Sequence, residues 1–195
     1  MYNLPIDEIR KFFLIFNRPT FKNLWTLALL IRNSKSANLN QMKDEWAAVT
    51  GNREAKPDTV YKRLCRFFNR PDLSTLLNGI GLWIAYLFEN QYATLALDRT
   101  HWELGSKQIN LLVLSILWRG VAIPIAWVSL NKDGNSSQQE RIELFRAVLK
   151  TFPLKNKTLL ADREFLGEDW FRFLKEQEIH FMVRLRKDAY KHEIA

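Results

Sequence analysis

The stretch Ile109–Leu130, INLLVLSILWRGVAIPIAWVSL, constrains the fold more than any other part of the chain. It holds two apolar runs, Ile109–Leu117 and Val121–Leu130, both rich in Leu, Val and Ile. Only Trp118-Arg119-Gly120 separates them. A connection that short forces neighbouring strands to run antiparallel, so the stretch reads as a hairpin.

The flanking sequence extends the hairpin into a sheet. Before it, Ala93–Leu97 is a short apolar run that ends in Asp98. After it, Ser137-Gln138-Gln139-Glu140 has the form of a capping box and opens a helix to about Lys150, where Pro153 blocks continuation. Thr158–Ala161 is a fourth strand, ending in Asp162. Glu168–Gln177 reads as a helix, and Phe181, Val183 and Leu185 alternate with Met182, Arg184 and Arg186 in a last strand. Three hairpin-linked strands followed by helix-linked ones predict a mixed sheet with helices on its faces, an α/β (α+β) arrangement. That is the strand order of ribonuclease-H-like domains.

The first 90 residues read differently. Pro5 starts a helical segment ending near Phe16; Thr20 to about Arg32 is a second, and Asn40–Val49 a third. Pro57-Asp58 opens a helix over Thr59–Phe68, and Pro71-Asp72 opens a long apolar one to about Glu89. The predicted organisation is therefore a helical region over 1–90 and a sheet-containing core over 91–195.

Composition narrows the partners. The chain has 195 residues, of which 47% are hydrophobic and 13% aromatic, enough to bury a core and too apolar for disorder. One cysteine and three histidines exclude an internal disulfide and a Cys/His zinc cluster. The N-terminus lacks a secretory pattern, and runs such as Leu27–Ile31 fall far short of the roughly 20 residues that span a bilayer. The expectation is a reduced, cytoplasmic protein with no membrane partner. The net charge of +8 suggests a polyanion, most simply nucleic acid.

Asp98 and Asp162 are the residues through which chemistry enters. In a sheet where their strands are neighbours, the two carboxylates meet at one edge and repel unless a cation lies between them. Magnesium suits such a site because it takes oxygen ligands and keeps several waters. Against this stands the plain structural role of Asp at strand ends, where its side chain bonds nearby backbone amides. Glu164 reads as an ion-pairing or helix-start residue, with support of the metal site beside Asp162 as its alternative, and Trp102 as a packing residue, with base stacking as its alternative.

Asp98-Arg99-Thr100, then Gly134-Asn135-Ser136 with Glu140-Arg141, then Asp162-Arg163-Glu164-Phe165 form blocks that extend over about residues 92–188. Together they resemble the catalytic core of bacterial insertion-sequence transposases with an aspartate–aspartate–glutamate site, of the group founded by insertion sequence 4. The resemblance implies that Asp98 and Asp162 bind metal. It implies magnesium as cofactor, with manganese as a substitute. It also implies cleavage of transposon ends and strand transfer into target DNA, hence DNA recombination by a nucleoid-associated enzyme that self-associates on DNA.

The same resemblance places a third carboxylate, a glutamate, on a helix beyond the last strand, in a tyrosine–arginine–glutamate–lysine pattern. Tyr190-Lys191-His192-Glu193 does not match that pattern. The expectation is a truncated core, incomplete at its C-terminus, and a chain that does not transpose DNA on its own. Two alternatives stand beside it: a non-catalytic DNA-binding remnant or inhibitor of a longer transposase, and a different ribonuclease-H-like nuclease.

For DNA binding, Lys62, Arg63, Arg66 and Arg70 decorate one helix whose apolar side carries Val60, Leu64, Phe67 and Phe68. With Asn40–Val49 before it, the pair suggests a helix-turn-helix, although the Gly51–Lys56 connection is long. Arg184, Arg186 and Lys187 form a second basic group, expected to meet phosphates near the metal site.

Overall fold

The computed structural model of the chain describes residues 18–88 and 93–185. The segment predicted helical over Pro5–Phe16, and Arg186 and Lys187, lie outside the described residues. The chain divides into two compact units, Met1–Gly79 and Ile80–Ala195. Among the described residues no helix is long and apolar enough to cross a membrane.

The first unit is helical: α1 (Arg18–Ser34), α2 (Leu39–Asp44), α3 (Trp46–Thr50) and α4 (Pro57–Phe68). Leu27 and Leu30 of α1, Met42 of α2, Trp46 of α3, and Val60 and Leu64 of α4 form one buried cluster. The helix expected over Asn40–Val49 is two. The turn tightens at Glu45, whose N–H reaches the Met42 carbonyl three residues back at 3.3 Å, and the chain restarts at Trp46. Gly51 ends α3 in the left-handed region at φ 74°, where a side chain is strained. Pro57 occupies the first position of α4, where its missing N–H costs nothing. Phe68, expected on the apolar side of α4, is instead exposed and meets Phe67 edge to face.

The helix α5 (Leu73–Leu87) carries the chain into the second unit, which begins at Ile80. There follow β1 (Thr94–Leu104), β2 (Lys107–Trp118), β3 (Val121–Ser129), α6 (Gln138–Leu149), β4 (Thr158–Ala161), a 3₁₀ turn (Arg163–Phe165), α7 (Glu168–Glu176) and β5 (His180–Val183). The five strands form one sheet in the order β3-β2-β1-β4-β5. β1 pairs antiparallel with β2, and β2 with β3; β4 lies parallel to β1, and β5 parallel to β4. This is the mixed five-stranded sheet with flanking helices that the sequence predicted.

Pleating sorts the residues of each strand onto two faces. Leu95 and Leu97 of β1, Leu112, Leu114 and Ile116 of β2, and Leu159 of β4 are all buried in one cluster. Phe145 of α6 and Trp170 of α7 join it, their rings edge to face at 4.9 Å. Each such side chain stabilises the fold by about 1.5–3 kcal/mol. Ala96, Asp98 and Thr100 alternate with these core residues and so lie on the other face. Gly81 of α5 is held by backbone: a Cβ there would lie 2.0 Å from the Ile125 carbonyl oxygen.

One boundary differs from expectation in a way that affects the site. β1 does not stop at Asp98 but continues to Leu104. Residues 98–104 are mostly polar, and their strand conformation comes from pairing with 107–113 of β2.

Candidate metal and DNA site

The parallel pairing of β1 with β4 ends at Leu97↔Ala161. Asp98 and Asp162 are the next residues on each strand. Neighbouring strands lie about 4.8 Å apart, so the two backbones are adjacent where these carboxylates leave them. Since Leu97 and Ala161 share a face, Asp98 and Asp162 share the opposite one. Asp162 is still extended, at φ −80° and ψ 173°, before the chain turns.

Both aspartates are exposed. Among the described residues neither forms an ion pair. The Asp98 carboxylate accepts the N–H of Arg99 at 2.8 Å. Asp162 precedes a 3₁₀ turn but its side chain makes no capping bond, so the ordinary turn role does not explain it. Two solvated carboxylates at the ends of neighbouring strands, neither ion-paired among the described residues, are a donor set suited to a hard divalent cation that keeps several waters. Among the described residues no group of three or more acidic, histidine or cysteine side chains gathers to hold a metal.

The residues beside the aspartates are braced. Arg99 grips Glu164 with two bonds, Nε to Oε1 at 3.1 Å and Nη2 to Oε2 at 3.2 Å, joining the two chains just past the aspartates. Glu164 is therefore the ion-pairing residue that the sequence suggested. Asn110, 3% exposed, donates from Nδ2 to the carbonyls of Lys132 and Gly134 and so fixes the loop after β3.

Arg141 of α6 is also 3% exposed. It donates to Ser136 Oγ at 2.9 Å, to the Leu166 and Glu164 carbonyls at 3.0 Å each, and to the Ser136 carbonyl. Burial pushes its pKa down, while the Glu164 and Glu140 carboxylates oppose that shift. The α6 capping box forms as predicted, with Ser137 and Glu140 exchanging bonds at 3.2 and 2.6 Å. Burial works to raise the Glu140 carboxyl, but bonds from Lys132 and Ser137 outweigh it and hold the group below its ordinary value.

The braced loops border a polar cavity of about 500 Å³, lined by Asn135, Asp162, Arg163, Glu164 and Leu166. Arg184 directly follows the Ala161↔Val183 pair and donates its backbone N–H to the Ala161 carbonyl. It is exposed and takes the place in β5's line that Asp162 takes in β4's. The sheet thus sets Asp98, Asp162 and Arg184 in a row. Sequence reasoning placed Arg141 in a family block but gave it no role, since nothing local marks an arginine as buried. It also assigned Trp102 to packing, whereas Trp102 is 54% exposed.

In the helical unit, Arg63, Arg66 and Arg70 line a second cavity of about 330 Å³ with Asn23, Phe67, Pro71 and Asp72. Lys62 and Arg66 are exposed. Arg63 donates to Asn23 Oδ1 at 2.7 Å and lies over the Trp46 ring. Arg70 is engaged otherwise than expected: it forms a two-bonded ion pair with Asp72, whose carboxyl it holds below its ordinary value. Three of the four basic residues expected to meet DNA thus surround one cavity, and one of the three, Arg70 just past the end of α4, is already neutralised.

Solved structures to which the chain is similar include the simian T-cell lymphotropic virus intasome in complex with a PP2A regulatory subunit, at 11% identity and a TM-score of 0.38, covering 50% of this chain and 36% of that one. The HTLV-2 integrase catalytic core domain in complex with magnesium has 18% identity and a TM-score of 0.36, covering 47% of this chain and 60% of that one. The catalytic domain of the Mos1 mariner transposase has 15% identity and a TM-score of 0.35, covering 59% of each chain. This chain thus spans between 36% and 60% of the length of those structures. A comparison with curated proteins finds no match. The family model described as Transposase DDE domain matches residues 89–194, more than half of the chain. The chain belongs to the transposase DDE domain family.

Proposed function

We propose that this chain is part of an insertion-sequence transposase of the group founded by insertion sequence 4, and that Asp98 and Asp162 hold its magnesium, with manganese as a substitute. One observation carries the reading: two exposed carboxylates, without ionic partners among the described residues, follow the last Leu97↔Ala161 pair of neighbouring parallel strands. When bound there, the metal supplies positive charge and an activated water for attack on a phosphodiester. The remaining work falls to side chains of the chain itself. Asp98 and Asp162 orient the cation. Arg184 and Arg163 offer positive charge to the phosphate, and the Arg99–Glu164 and Arg141 contacts hold the Asp162 loop still. Lys62, Arg63 and Arg66 would hold DNA phosphates at the helical unit. Residues 1–90 then serve DNA binding and 91–195 the catalytic core.

A second reading rests on the described residues gathering no third carboxylate with Asp98 and Asp162: a DNA-binding chain that competes with a longer transposase for transposon ends. The deciding experiment is manganese binding followed by electron paramagnetic resonance, with nicking of DNA that carries the element's ends measured alongside. The wild type should bind manganese and the Asp98→Ala, Asp162→Ala double variant should not. Undiminished binding by the double variant would refute the metal assignment. Binding of the ends without any metal-dependent nicking would favour the competitor.

A further inference from the structure

Past Ala161 the sheet loses its parallel neighbour on β1, yet β1 and β2 stay paired as far as Leu104↔Lys107. The pairing of β2 with β3 ends at Leu111↔Ser129. Among the described residues, the tip from Trp102↔Ile109 onward therefore has no third strand beside it. It is a two-stranded arm, marginal on its own in water, and Gly105 turns it at φ 61°.

Trp102 stands on this arm, 54% exposed. A single exposed apolar residue is ordinary and proves nothing. Its phase is the second observation. β1 pairs with β2 in unbroken register from Leu95 to Leu104, so Asp98, Thr100 and Trp102 form one row on one face. That face is the one Asp162 shares. Lys107, exposed on the partner strand, alternates with Ile109, the residue opposite Trp102. It therefore lies on the same face, roughly 7–8 Å away on the diagonal. An indole, an ammonium and the two aspartates are thus in line on one surface.

The spacing suits one class of ligand. Four residues of strand separate Trp102 from Asp98, about 13 Å at 3.3 Å each. A DNA strand with a phosphate at the aspartates covers that distance in about four stacked nucleotides, and in fewer when unstacked. Base pairs within a duplex hide their faces, whereas an unpaired end offers a base to an aromatic platform. Lys107 would meet the adjoining phosphate.

Resting on the transposase reading above, we propose that Trp102 and Lys107 form a stacking site for an unpaired base of the DNA end, beside the Asp98–Asp162 pair. The arm thereby distinguishes a frayed or single-stranded end from intact duplex.

The test uses two duplexes of one sequence in magnesium buffer, one blunt and one with a four-nucleotide single-stranded overhang carrying 2-aminopurine. Affinity and 2-aminopurine quenching are measured for the wild type, Trp102→Ala, Trp102→Phe and Lys107→Ala. The wild type should prefer the overhang and quench its fluorescence. Trp102→Ala should lose about 5- to 150-fold in affinity for the overhang duplex and none for the blunt one. Trp102→Phe should keep part of both signals, which separates stacking from damage to the arm. Lys107→Ala should flatten the salt dependence of overhang binding by roughly 0.7 of a log unit per log unit. Unchanged quenching and preference in Trp102→Ala would overturn the proposal. So would a wild type that binds both duplexes equally, a result that leaves the transposase reading intact. A wild type that binds neither duplex would overturn both.

Discussion

Replacing Arg141 by Met keeps an unbranched, flexible stem, two atoms shorter, while removing the charge and the donors. The guanidinium is 3% exposed and makes bonds to Ser136 Oγ and to the carbonyls of Ser136, Glu164 and Leu166. Each bond from a charged donor contributes about 1.5–3 kcal/mol, though four on one group do not add. Against their loss stands the desolvation that the buried charge no longer suffers, several kcal/mol, and the apolar burial of the Met, about 1.5–3 kcal/mol. What remains is a set of three carbonyls left without their donor at about 1–3 kcal/mol each.

The net expectation is a loss of about 3–5 kcal/mol, the scale for removing one partner from a buried charged network. For a unit of this size that lowers the melting temperature by about 10–20 °C. Urea titration followed by far-ultraviolet circular dichroism measures it, and amide exchange at 162–166 should accelerate before the rest of the sheet. A loss below about 1 kcal/mol would refute the reasoning, because it would mean that water already satisfies those carbonyls.

Two further outcomes can be checked. Glu140 sits below its ordinary pKa of 4.5, so its contribution to folding is complete above that pH and is lost as pH falls through the depressed folded value. Glu140→Gln should cost about 1 kcal/mol at neutral pH and remove that part of the acid dependence in denaturant titrations at pH 3–7; parallel wild-type and variant curves would contradict it. For DNA binding, Arg66→Ala should flatten the log–log salt slope by about 0.9, whereas Arg70→Ala should leave the slope unchanged because Asp72 already neutralises that guanidinium. Equal flattening by the two variants would show that the Arg70 pair opens on DNA.

How much was legible in the sequence depends on the range of the forces at each position. Thr158–Ala161 came out with its observed bounds because an apolar run between polar residues is a local signal. The Ser137–Glu140 capping box is equally local, both partners lying within one turn. The adjacency of Asp98 and Asp162 follows from strand order, which the run of strands and helices encodes. Non-local effects were hidden. Residues 98–104 look like a loop when taken alone, and only the partner strand Lys107–Val113 makes them β. Arg141 resembles any exposed helical arginine until the loops of Ser136 and Glu164 close around it. The break at Glu45 depends on burying both Met42 and Trp46 against other helices. Arg70 looked free because its partner, Asp72, was taken to be the start of the next helix.

The central place of β1 has a consequence for folding kinetics. On one side β1 pairs with β2 across a turn of two residues; on the other it pairs with β4, where Leu97 meets Ala161 only after 64 positions of chain. Closing the hairpin costs little entropy and is quick, while closing the long loop is the slow step and the first to reopen. Asp98 is therefore in place early and Asp162 arrives late. An opening that frees β4, with α6 and α7 loosened, takes the paired carboxylates apart while leaving the β1–β3 meander standing. The chemistry assigned to that pair is then available only to the fully closed native state, and a partly folded chain exposes none of it.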